Sequence, residues 1–145
     1  MKLFKRKMSK KQKAALNALA EGIECGAQLR PQARGGLVKQ ARWNPDKHTY
    51  DCQTCALGAA AECAFMRRGM DEFERLDLIC YMTDYNAILA LYDVKERESE
   101  RSIILEDQDV ISQGEPDAIA TLIYRLNDQL EWSRERIAAF LRELE

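Results

Sequence analysis

No stretch of apolar residues in this chain approaches the roughly 18 that a membrane-spanning helix requires, so the sequence predicts no membrane partner. The lysine-rich start, MKLFKRKMSKKQKAAL, has no apolar run with a cleavage site behind it, which argues against a secretory signal. Cysteine is present but odd in number: Cys25, Cys52, Cys55, Cys63 and Cys80. An odd set without a signal points to free thiols in a reducing, cytoplasmic setting rather than to a disulfide framework. Glycine pairs occur only at Gly35-Gly36, without the G-x-G-x-x-G frame or the following Lys-Ser/Thr that a phosphate loop needs. Histidine is limited to His48, and nothing beside it marks an oxyanion hole or an orienting partner for a Cys–His pair. Carboxylates are plentiful but lie in solvated charge runs. Enzymatic chemistry is therefore the weaker expectation.

What is present suits one globular domain. The 145 residues, 46% hydrophobic and 32% charged, are enough for a core without metal or disulfide staples. Charge is unevenly spread. Residues 1–13 hold seven cations and no acid, and removing those seven from the net −2 leaves −9 on the remainder. We read residues 1–8 as a basic arm and 9–145 as a single helical domain. Lys5, Arg6, Lys7, Lys10, Lys11 and Lys13 could then meet nucleic acid, an acidic partner or the protein's own body.

Periodicity predicts a compact, mainly α bundle of about five helices, with room for one short strand pair. A first helix starts at Ser9, where Gln12 gives capping-box spacing, and carries Leu16, Leu19, Ala20 and Ile23 to a stop at Gly26. Lys10, Lys11 and Lys13 in its first turn oppose the helix dipole, so local stability did not select them. Residues 30–51 read as a loop with one short strand near Leu37–Lys39. A second helix runs from Cys52 or Thr54 to Arg68. Its small-residue face, CALGAAAECA, is expected at the centre, against the first helix and the final pair. Residues Phe73–Tyr92 read as one buried helix, and SIILEDQDVIS as a short strand or a loop. Pro116 opens the penultimate helix, with Ile119, Leu122, Ile123, Leu126 and Leu130 on one face. Ser133 caps the last helix, Trp132 staples to Ile137, and Ile137, Phe140, Leu141 and Leu144 form its stripe.

Metal ligation has one candidate set. His48-x3-Cys52-x2-Cys55, with Cys25 or Cys63 as fourth ligand, has donors that zinc accepts. Only one Cys-x2-Cys is present, and Cys55 and Cys63 would lie about 12 Å apart on one helix. Buried apolar cysteines are the simpler explanation, so no cofactor is expected and zinc stands as the alternative. A redox role for Cys-x2-Cys lacks the surrounding βαβ pattern. SRERIAAFLRELE resembles the opening of a helix-turn-helix, but no recognition helix follows it.

Three segments taken in order carry a likeness. IECGAQLRPQARGGL, CALGAAAECA and LIYRLNDQLEWSRERIAAFLRELE resemble a group of short bacterial and phage proteins of unassigned function, with the pattern LRPQ … CALGA … LND-x3-W-[ST]-R-E-x-IA. The lysine-rich start and residues 70–115 depart from that pattern. The resemblance implies weight on Arg30, Pro31, Gln32, Cys55, Gly58, Asn127, Asp128 and Trp132, and supplies no activity. Arg30, Gln32, Asn127 and Asp128 are polar groups beside apolar anchors. They read as a buried network closed by an Arg30–Asp128 ion pair, or as the lining of a polar-ligand pocket. The functional expectation is a non-enzymatic binding protein of phage or prophage origin. It would bind a host protein or sequester a small nucleotide-like ligand, in the manner of immune evasion. The alternatives are a nucleic-acid-associated protein using the arm, and a zinc-stabilised module.

Overall fold

The computed structural model describes residues 2–3, 9–95, 104–105 and 119–144. Among these the order is β1 (Lys2–Leu3), α1 (Lys10–Ala27), β2 (Val38–Asn44), β3 (Thr49–Thr54), α2 (Ala56–Arg67), α3 (Glu72–Cys80), α4 (Tyr85–Ala90), β4 (Ile104–Leu105), α5 (Ile119–Asp128) and α6 (Arg134–Glu143). The fold is mainly α with a short antiparallel hairpin, β2–β3. β1 pairs antiparallel with β4. Pro116, Lys5, Arg6 and Lys7 lie outside the described residues. No helix among the described residues is long and apolar enough to cross a membrane.

The helix starts follow local chemistry. The Ser9 hydroxyl accepts from the Gln12 amide N–H, but the Gln12 side chain does not reciprocate. It donates to the Lys95 carbonyl and accepts from the Lys95 N–H, fastening the start of α1 to the chain after α4. The adverse lysines are partly explained by Lys13, whose ammonium donates to the Arg142 carbonyl at 2.7 Å and also to that of Leu144. It thus meets the electronegative C-terminal end of α6. Asp71, Asp84 and Ser133 cap α3, α4 and α6, and the Cys55 thiol accepts from Gly58 N–H to cap α2.

Gly26 does not stop α1. The helix continues to Ala27, and Gly26 is buried inside it, where an added Cβ would lie 1.9 Å from the Ala59 carbonyl oxygen. The glycine is there for backbone contact between α1 and α2. Gly58 serves a different neighbour: its missing Cβ leaves room for the Leu37 carbonyl, 2.0 Å from the position it would take. α2 is almost wholly buried, but it packs on α1, α3 and α5, while α6 lies chiefly on α1.

Three other expectations are corrected. Phe73–Tyr92 is not one helix. It breaks after Cys80 and restarts behind Asp84, whose carboxylate accepts from Asn86 N–H. Residues 30–51 hold more strand than the one short piece expected near Leu37–Lys39. β2 and the first half of β3 lie within that span, with a bulge between Lys39 and Arg42 and Gln40 at φ 58°. Leu130 falls beyond the end of α5 and is exposed.

Candidate functional site

Two polar networks position the region around the hairpin. The first begins at Glu62, the only charge in the first ten residues of α2, and completely buried. A lone buried carboxylate would be very costly, so it needs partners. Arg30 supplies a two-pronged contact, Nε to Oε1 at 3.1 Å and Nη2 to Oε2 at 2.9 Å. Arg75 adds a third bond at 3.3 Å. Arg30 Nη2 also reaches Glu72 at 2.6 Å, and Nη1 donates to the Tyr50 carbonyl at 2.6 Å.

Glu72 completes the arrangement by accepting from the Tyr50 N–H at 2.8 Å and from the Thr49 hydroxyl. The Arg30–Glu72 pair therefore occupies both backbone groups of Tyr50, as a neighbouring strand would. Further along β3, Thr54 N–H donates to the Pro31 carbonyl and Ala33 N–H donates to the Thr54 carbonyl. Together they cover much of the open edge of β3. Burial alone would raise the Glu72 carboxyl, but the Thr49 hydroxyl, the Arg30 guanidinium and the Tyr50 N–H hold it below its ordinary value. Burial alone would lower Arg30, and its bonds to Glu62 and Glu72 raise it instead.

The second network centres on Asn127. Its Oδ1 accepts from Gln32 Nε2 at 2.8 Å and from Ala56 N–H at 3.1 Å. Its Nδ2 donates to the Ala33 carbonyl at 2.9 Å and to Asp128 Oδ1 at 2.7 Å. Gln32 also donates to the Trp132 carbonyl at 2.9 Å. The structure thus brings Gln32 and Asn127 together and gives Arg30 other partners. Arg30 and Asp128 form no ion pair, because the lone carboxylate of α2 and Glu72 of α3 take the guanidinium first.

Arg134, unremarked in the sequence, links the two networks. It is buried at the first position of α6 and donates to the carbonyls of Ala27, Arg30 and Thr54 and to the Thr54 hydroxyl. Its Nε has no partner among the described residues, and burial lowers its pKa.

In front of the first network lies a cleft of about 630 Å³. Leu29, Arg30 and Pro31 form one wall, and Gln40, Arg42 and Lys47 come from β2 and the turn. Residues Thr49, Tyr50, Asp51, Cys52 and Gln53 of β3 complete the lining. Arg30 is spent on its carboxylates, whereas Arg42 and Lys47 are exposed and their side chains have no hydrogen-bond or ion-pair partner among the described residues. The cleft thiol is not activated: burial pushes Cys52 up to about 11.

The proposed zinc ligands are dispersed. His48 is exposed in the hairpin turn, Cys52 lies on β3, Cys55 caps α2 and Cys25 sits on α1. Among the described residues no group of three or more His, Cys, Asp or Glu is placed to hold a metal ion. Burial raises Cys55 to about 11 and Cys63 to about 12, as expected of thiols in an apolar interior.

Sequence reasoning missed Glu62, Glu72, Arg75 and Arg134, and missed Gln40, Arg42, Lys47 and Gln53 of the cleft. One signal was visible: a single acid within ALGAAAECAF must be either exposed or paired. Comparison with protein-family models, curated proteins and solved structures found no match.

Proposed function

We propose that this is a non-enzymatic binding protein that takes a small, polar, nucleotide-like ligand into the cleft between the hairpin and residues 29–31. The observation that carries this reading is the cleft itself. Its volume of about 630 Å³ falls within the roughly 300–1,000 Å³ of small-molecule sites. It combines a wall fixed by buried ion pairs with the side-chain donors of Arg42 and Lys47, which have no partner among the described residues. The protonated Cys52 and the exposed His48 favour retention of a ligand over covalent chemistry. The resemblance to short bacterial and phage proteins, which supplies no activity, is the ground for proposing a phage or prophage origin.

Native mass spectrometry of the protein equilibrated with a bacterial small-molecule extract tests the reading. The expected result is a one-to-one adduct that is lost when Arg42 and Lys47 are both replaced by alanine. An extract from which nothing is retained, or an adduct indifferent to both changes, would overturn it.

A different surface favours the host-protein reading. Trp43, Tyr50 and Phe73 form a ladder with ring centroids 5.1 and 6.3 Å apart, and Trp43, Phe73 and Tyr81 are exposed. Exposed aromatic groups of this kind anchor protein contacts. Under this reading Trp43→Ala with Phe73→Ala abolishes capture of a purified host partner and leaves small-molecule retention intact. Unchanged capture by the double variant would remove it.

A further inference from the structure

The cleft's charges also identify the chemistry of its ligand, an inference that rests on the binding role just proposed. We infer that the ligand is a phosphate ester, with its anionic group held between Arg42 and Lys47.

The inner ion pairs contribute no net charge. Two guanidinium groups, Arg30 and Arg75, face two carboxylates, Glu62 and Glu72. Four of the hydrogen bonds Arg30 can donate already go to Glu62, Glu72 and the Tyr50 carbonyl. An incoming anion would have to displace a carboxylate from Arg30, leaving Glu62 buried and underpaired. That exchange costs more than a surface ion pair returns. Arg30 is therefore a wall and not a ligand-holding group.

The outer charges do not cancel. Arg42 and Lys47 both line the cleft, and the carboxylate that lines it with them is Asp51. Asp51 stands opposite Arg42 in the hairpin register and accepts from Asn44 Nδ2 at 2.9 Å. The rim is left with one net positive charge. Arg42 and Lys47 share the lining of this one cleft. A compact group with several oxygens satisfies both the planar fork of arginine and the point charge of lysine.

The remaining lining calls for more than inorganic phosphate. Gln40 and Gln53 each offer an amide donor and acceptor, which suits the polar edge of a base or sugar. Gln40 is also held at φ 58° beside the bulge, a strained conformation that tends to occur where a side chain is re-aimed. The volume exceeds the needs of phosphate alone and suits a mononucleotide.

Titration calorimetry with ADP, AMP, pyrophosphate and adenosine as probes tests the assignment. ADP and AMP should bind. Pyrophosphate should bind more weakly, because it lacks the organic part, and adenosine should not bind measurably. Arg42→Gln and Lys47→Gln should each weaken ADP about tenfold or more, and added salt should weaken it in the wild type. Circular dichroism should show both variants folded as the wild type. Pyrophosphate binding as tightly as ADP would reduce the site to a general anion site and overturn the ester assignment. Adenosine matching ADP, or ADP indifferent to both variants, would overturn the role of the anion. Should no phosphate probe bind while the extract adduct persists, the ester assignment fails and the cleft reading stands. Should the adduct also be missing, both fail.

Discussion

At the scale of single residues, Arg30→Ala should destabilise the protein by about 3–5 kcal/mol, because Glu62 would remain buried with only Arg75 beside it. Urea unfolding measures this, and Asp128→Ala, which breaks no ion pair with Arg30, should cost much less. The sequence marked Arg30 but not its partners. Asp128 was the expected one, and Glu62, the actual one, was passed over inside a helix read only for its small residues.

Titration gives a second residue-level prediction. Glu72 and Glu24 both have folded pKa values below the ordinary 4.5, Glu24 chiefly through its bond from Arg142. A carboxyl whose pKa is depressed by folding adds stability above its unfolded value, and that stability disappears as pH falls through the folded value. The melting temperature should therefore be level near neutrality and decline below about pH 4.5. Glu72→Gln should melt lower at pH 7 and decline less steeply in acid. An unchanged acid limb in that variant would show that Glu72 is not held in its charged form.

At the scale of elements, caps and apolar stripes were legible where they were local. Ser9 and Ser133 cap the helices they were expected to cap. Ser133→Ala should cost about 1 kcal/mol, read from thermal or urea unfolding. The hairpin was illegible for a physical reason: β2 is exposed at five consecutive positions, so it shows no alternation of apolar and polar residues. Its register comes from the Asn44-Pro45 turn and from the buried half of β3. The break between α3 and α4 was hidden because apolar residues continue across it, and only Asp84 announced a new cap. Gly26 illustrates the same limit, since a sequence cannot distinguish a helix-ending glycine from one pressed against another backbone. Gly26→Ala should force α1 and α2 apart and cost about 1–3 kcal/mol, as should Gly58→Ala against the hairpin approach. A melting temperature unchanged in Gly26→Ala would mean that the helices do not meet there.

At the scale of the whole molecule, buried charge ties one side of the hairpin to the body, while the side chains of Arg42 and Lys47 have no hydrogen-bond or ion-pair partner among the described residues. Arg134, Arg30 and Asn127 fasten segments distant in sequence, and that rigidity gives the cleft a fixed wall. In the proposed function, ligand binding falls to Arg42 and Lys47, whose side chains belong to neither buried network. The sequence could not show this division, because it presents Arg30 and Arg42 as equivalent cations on one loop. The most direct measurement compares the melting temperatures of Arg30→Ala and Arg42→Ala, each with and without saturating ADP. Our account predicts that Arg30→Ala melts far below the wild type, while Arg42→Ala melts with it but loses the upward shift on adding ADP. A wild-type melting temperature for Arg30→Ala, or a full ADP shift in Arg42→Ala, would contradict it.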